Sequence, residues 1–331
     1  MIAAALALTP VLLFLVALLM MDSFKLVRPR AIAAAIAAGG AAALASVWLH
    51  PGTLPFSVSS RTIERVVAPL LEESLKSAFI VALVAGRRVG FPVDAAIQGF
   101  AVGTGFALAE NWVYLASRPD APALVWIVRG LGTAILHGAA TGVFAIIAQR
   151  LSMRHGARAA RAFLPGWIAA VAIHAAFNIA ILPPVMNMLL LLLVVPLIVV
   201  RVFDWSERST RDWVGAGLDL DVELLDLVTS EHFHETHFAS YLQRLRTRFP
   251  GPVVADMFCL LRLQLELSAH AKGRLMARSA GLDVPKDADT EAALAEVQFL
   301  RHSIGRAGLL ALEPLSATSD RDAWHGHVLR Q

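Results

Sequence analysis

Along residues 1–203 apolar residues run in stretches of about twenty, separated by short polar or basic loops; from 204 onward Leu and charged residues alternate at helical spacing. About twenty apolar residues, rising 1.5 Å each, cross the hydrocarbon core of a bilayer. Seven stretches read as spans: Ile2–Met21, Ala31–Leu49, Thr62–Ala85, Val93–Ala116, Leu124–Gln149, Ala162–Leu182 and Val185–Val200. The first lacks a basic leader region and is followed by a basic loop, so it reads as a retained span rather than a cleaved signal. The pattern predicts an all-α protein: a polytopic membrane helical bundle of about seven transmembrane helices over 1–203, and a C-terminal soluble helical domain over 204–331.

In the tail, Val222–Phe249 has helical periodicity, and Pro250-Gly251-Pro252 breaks it. A second apolar helix then runs to about Ala280 with Gly281 as its stop, and Asp289 is placed to cap a third. The run Glu231-His232-Phe233-His234-Glu235-Thr236-His237 looks metal-like, but on a helix only His234 and His237 would share a face, so a solvated face is the simpler reading.

Composition agrees with the pattern: 57% hydrophobic residues and a mean hydropathy of +0.62 do not describe a soluble enzyme. Lys and Arg number 15 against 7 Asp and Glu over 1–203 (net +8), and 14 against 19 over 204–331 (net −5). The basic balance therefore belongs to loops beside the membrane, not to a nucleic-acid surface. With the N-terminus outside, the inner loops carry Lys25, Arg28, Arg30, Arg87, Arg88, Arg150, Arg154, Arg158 and Arg161, and the outer loops Arg61 and Arg118. This positive-inside bias puts the loop around Pro119 outside and the Gly156 loop and tail in the cytoplasm. Trp112, Tyr114 and Trp126 then fall near the outer interface. The lone Cys259 excludes an internal disulfide and reads as a small core residue.

Four polar motifs interrupt the apolar spans: Glu72-Glu73 with Lys76, Phe106 with Glu110-Asn111, His137, and His174 with Asn178. A charged group at mid-bilayer costs roughly 2.5–3.5 kcal/mol on insertion scales, so such residues are kept for use. Glu72 and Lys76 share a face, and Pro69 removes the amide that would bond the Arg65 carbonyl, loosening the helix before the acidic pair. Gly99 and Gly103 form a small face for close helix approach. Thr133 and Thr141 flank His137 on its own face, and His174 and Asn178 project together. Counted from the helix ends, all these groups fall between the bilayer centre and its outer half, which makes them one site. Adjacent carboxylates, imidazoles and a carboxamide suit water activation and oxyanion or metal binding, the equipment of a hydrolase.

The ordered set EExxK (Glu72, Glu73, Lys76), FxxxEN (Phe106, Glu110, Asn111), His137 and HxxxN (His174, Asn178) resembles the PrsW family of intramembrane proteases, relatives of the type II CAAX prenyl endopeptidases. The resemblance covers about residues 60–180. It implies hydrolysis of a peptide bond in a membrane-embedded substrate such as an anti-sigma factor, in a bacterial plasma membrane. By the same resemblance Glu72 and Glu73 align with the water-activating acidic pair, and His174 and Asn178 with the third motif. Two mechanisms are open at this point. In one, His137, His174 and a carboxylate such as Glu110 bind a divalent ion such as Zn2+, with another Glu as base. In the other no cofactor is needed: Glu72 and a histidine activate water, and Asn178 helps hold the oxyanion. The rival classes are an ion or proton-coupled transporter or channel, which needs polar groups through the full membrane thickness, and a non-catalytic scaffold of the same fold. The expected partners are the substrate, the lipid bilayer and a cytoplasmic partner of the tail.

Overall fold

The computed structural model describes residues 1–49, 59–155, 159–179, 182–282, 288–312, 314 and 328–329. The Gly156 loop and Arg158 lie outside the described residues. Every described element is helical: α1 (Ile2–Met21), α2 (Pro29–Trp48), α3 (Ala68–Ala85), α4 (Pro92–Ser117), α5 (Ala123–Val128), α6 (Ala134–His155), α7 (Ala160–Ile179), α8 (Pro184–Thr229), α9 (His237–Leu245), α10 (Gly251–Ser279) and α11 (Ala288–Leu312). Two π turns, Ile63–Val67 and Arg129–Thr133, lead directly into α3 and α6. The chain forms two compact units, Met1–Glu207 and Arg208–Gln331.

Among the described residues five segments are long and apolar enough to cross a membrane: α1, α2, the continuous rod Ala123–Met153, α7 and α8. The other two expected spans, α3 and α4, are the ones that carry most of the polar motifs. α3 is 18 residues long and includes Glu72, Glu73 and Lys76.

α4 is the post around which the first unit is built. Every residue from Pro92 to Ala107 is buried, and α6, α2 and α1 pack around it. Small residues make this possible. A Cβ on Gly103 would stand 2.2 Å from the His137 carbonyl oxygen, so α4 and α6 cross backbone to backbone where His137 leaves its helix. On the opposite side a Cβ on Gly105 would meet the Ile36 carbonyl at 1.9 Å, which fixes α2 against α4. α3 packs on α2, α6 and α7, and α7 on α6.

Several sequence expectations change. Val185–Val200 is not a separate short helix but the apolar start of α8, whose helix runs on past the apolar stretch to Thr229. Val222–Phe249 is interrupted by a 3-10 turn at Glu231–Glu235, so the His-rich run lies on that turn, not on a helix face. Its His234 Nδ1 bonds the Glu231 carbonyl of its own turn. Trp126 is buried, its indole N–H donating to the Ala121 carbonyl at 3.1 Å, and does not sit in an interfacial belt. Cys259 is exposed on α10 rather than in the core. Asp289 falls inside the first turn of α11 rather than at its cap. Gly281, with φ +79°, follows the end of α10 as expected.

The second unit has its own core, in which Leu242, Met257, Leu260, Leu300 and Ile304 meet. Within it Lys272 of α10 is buried against Asp221 at 2.5 Å and donates to the Gly217 carbonyl at 2.8 Å, both on the later half of α8.

Candidate active site

Backbone chemistry sets the stage for the side chains. Proline at 69 has no N–H to give the preceding turn, and the helix widens just before it: the Ala68 amide closes on the Ile63 carbonyl, a π turn. The Glu64 carbonyl, within that turn, accepts a hydrogen bond from Asn178 Nδ2 at 3.1 Å. The loosening expected at Pro69 thus ties α3 to α7. The second π turn carries Arg129 and ends at Thr133, one turn before His137.

Glu73 and Lys76 are fully buried and 2.5 Å apart. Lys76 pairs with Glu73, not with Glu72 as the i,i+4 spacing suggested, because the inward face of α3 carries residues 73, 76, 77 and 80. The Lys76 ammonium, a donor only, also reaches His137 Nδ1 at 3.0 Å. His137 then carries its proton on Nε2 and donates it to Glu110 Oε2 at 2.9 Å. Glu73 Oε1 accepts from His174 Nδ1 at 2.8 Å, which leaves the His174 Nε2 lone pair facing Glu72 Oε2 at 3.8 Å. The two imidazoles meet edge to face with centroids 4.9 Å apart, and the Phe106 ring closes over His137 and Lys76.

Arg129 completes the set and was not singled out from sequence. Its Nε donates to Asn111 Oδ1 at 2.9 Å, its Nη2 lies 3.1 Å from Glu110 Oε1, and its guanidinium stacks 3.6 Å from the Tyr114 ring. Asn111 in turn donates to the Ala7 carbonyl of α1 at 2.7 Å. The available signal was a lone arginine inside a span, two turns before His137. Arg65, seven residues before Glu72, is exposed.

Glu72, Glu110, His137, His174 and Asn178 all line one open pocket of about 500 Å3, with apolar walls from Ala43, Leu44 and Val47 of α2. Glu73 lies behind it. Of the expected residues only Asn178 stands at a distance from the charged core, at the rim with one amide hydrogen committed to Glu64. Among the described residues Glu72 alone of the three carboxylates has no hydrogen bond: Lys76 and His174 hold Glu73, and Arg129 and His137 hold Glu110.

The same side chains meet the requirements of a divalent ion. Glu72, His137 and His174 offer ligand atoms within 4.8 Å of one another, a donor set of two imidazoles and a carboxylate found in catalytic zinc sites. Glu73 on His174 Nδ1 is the outer carboxylate such a histidine uses. Glu73 Oε2 is a buried oxygen without a hydrogen-bond partner among the described residues. The set fits in kind and proximity, on condition that His137 releases Lys76 or Glu110. The carboxylate that joins the histidines is Glu72, whereas the sequence had suggested Glu110.

Carboxylates and imidazoles gathered in an open pocket, inside a bundle of membrane-crossing helices, are the equipment of a hydrolase that works within the bilayer. The family described as PrsW family intramembrane metalloprotease matches residues 4–202, and the chain belongs to that family. It is therefore an integral membrane protein and an intramembrane peptidase. No curated protein and no solved structure gives a match.

Proposed function

We propose that this protein is an endopeptidase that cuts a single-span regulatory membrane protein, of the anti-sigma-factor kind, with Glu72 as general base and His174 as its partner. The observation that carries the reading is the free carboxylate of Glu72 in the pocket, opposite an imidazole whose proton is fixed on the far nitrogen. A water between Glu72 and His174 Nε2 loses a proton to Glu72, and its oxygen adds to the scissile carbonyl carbon. The second amide hydrogen of Asn178 faces the oxyanion of the resulting tetrahedral carbon. Glu72 then returns the proton to the departing amine nitrogen as the C–N bond breaks. Glu73, Lys76, His137, Glu110 and Arg129 hold the two working groups in place. Glu72, His137 and His174 are the residues that would hold a divalent ion, which when bound supplies Lewis-acid polarisation of water and carbonyl. Lys76, already placed between Glu73 and His137, favours the cation-free route, because it provides a fixed positive charge there.

The reading includes seven spans, with α3 and α4 in the bilayer, the N-terminus outside, and the bundle in a bacterial plasma membrane. The tail beyond about residue 203 is then a cytoplasmic helical domain for interaction or regulation. The test is cleavage of candidate single-span substrates by purified protein reconstituted in lipid. Activity is expected to survive exhaustive chelation with little metal bound. Near-stoichiometric metal that is lost in His174→Ala, with activity tracking occupancy, would replace direct activation by the ion-assisted route.

A further inference from the structure

In the first unit α1, α4, α6 and α8 also leave a second, much narrower crevice of about 50 Å3. Leu18, Phe100, Ala139, Gly142, Val199 and Phe203 line it, and no lining residue has a polar side chain. It opens sideways beside Ile198, a lining residue of α8 that is 44% exposed. Water gains nothing in such a space, and an empty one forfeits dispersion contacts on every wall; in a bilayer, hydrocarbon fills it.

One end of the crevice is basic. Arg150 lies one turn beyond the lining residue Ile146, and Arg201 one turn beyond Ile198, so both continue faces of the crevice toward the same end. Both are exposed, and neither is paired with a carboxylate among the described residues. Arg150 is steadied by stacking 3.9 Å over Trp205, two residues beyond the lining Phe203. A guanidinium held this way matches a phosphate diester in charge and geometry, and the indole beside it suits the headgroup level.

We propose that this crevice seats a short stretch of one acyl chain of an anionic phospholipid lying along it, with Arg150 and Arg201 holding its phosphate. The seat bears on the active site. Its floor includes Gly138, where a Cβ would stand 2.5 Å from the Phe100 ring, and the preceding residue is His137. The lipid chain braces the back of the helical turn whose front presents His137 to the pocket.

The test uses the full-length protein in nanodiscs of equal phosphatidylglycerol and phosphatidylcholine, released gently into a mass spectrometer that counts retained lipids. One phosphatidylglycerol per chain is expected to survive. An Arg150→Gln/Arg201→Gln double variant should lower the preference for phosphatidylglycerol by roughly fivefold per arginine, while total lipid retention persists. Ala139→Phe should fill the crevice and remove the retained lipid of either kind; monodispersity on size exclusion confirms that this variant folds, and the arginine variant tests the site independently of it. Equal retention of the two lipids by the unaltered protein, or a preference unchanged in the double variant, overturns the proposal. Neither readout depends on proteolysis, so failure here leaves the catalytic reading untouched.

Discussion

In the proposed mechanism Glu72 carries the chemistry because its neighbours are already committed, and that makes its replacement informative. Glu72→Gln preserves shape and removes the proton acceptor, so turnover should fall roughly 10²–10⁴-fold in a protein that still inserts. Near-normal cleavage by a well-expressed variant would take Glu72 out of the mechanism. Arg129 acts one step back, through Glu110 and Asn111. Arg129→Gln should lower kcat more than it raises KM, and Arg129→Lys should recover only part of the loss, since lysine lacks the planar fork and the stacking on Tyr114. Outside the spans, Asp22 accepts the Leu26 amide at 2.6 Å, and burial, with a smaller push from Asp94, raises its carboxyl to about 6. Its folded-state value lies above the unfolded one, so its stabilising effect is full below about pH 4 and is lost as pH rises through 6. Asp22→Asn should raise Tm at pH 7.5 and flatten the Tm–pH curve between those limits, measured by thermal unfolding in detergent. At this scale the sequence was informative where a charge interrupts an apolar run, as at Glu72, Glu73, His137 and His174. It misled where two geometries compete: i,i+4 spacing favoured Glu72 for Lys76, but the face buried against α6 and α7 presents Glu73. Arg129 escaped notice because arginines near helix ends look like topology signals.

Among the elements, the crossing of α4 and α6 has the least tolerance. Gly103→Val would drive a side chain into the His137 backbone, a clash no rotamer relieves. The expected result is a large drop in Tm and loss of activity, whereas Gly40→Ala, whose Cβ would lie 3.8 Å from the nearest neighbour, should leave both unchanged. The glycine face of α4 was legible because small residues at i and i+4 within a span have few other uses. The π turns were half legible: proline at 69 announced a loosening, but nothing in the sequence Arg129–Thr133 declares an extra residue in the turn. α8 was misread because hydropathy ends at about Val200 while helix propensity does not. The tail helices were broken in the wrong place because Ser230 and Thr236, which flank the 3-10 turn, are weaker punctuation than proline.

At the scale of the whole molecule, the uneven share of loop arginines predicts a testable arrangement. Single cysteines placed in the Pro119 loop should react with an impermeant maleimide in intact cells, and those in the Gly156 loop only after lysis, once exposed Cys259 is replaced by Ser. Labelling of the reverse kind would invert the topology and move the pocket to the inner leaflet. The change from apolar to charged sequence near residue 203 is plain in hydropathy and charge because those averages run over a hundred residues. The burial of α4 is not, because it depends on partners far away in sequence. That burial has a consequence for how the protein is made. α4 leaves the ribosome after α1, α2 and α3 and before α5 and α6. With Asp94, Gln98, Glu110 and Asn111 along it, it is poorly suited to partition into lipid alone. Its polar groups find partners in α1 and in the rod that follows, through Ala7, Arg129 and His137. On the proposed reading, with α4 in the bilayer, this helix would wait at the translocon for a later segment, and the polar residues of the site would make membrane insertion a collective event rather than a helix-by-helix one.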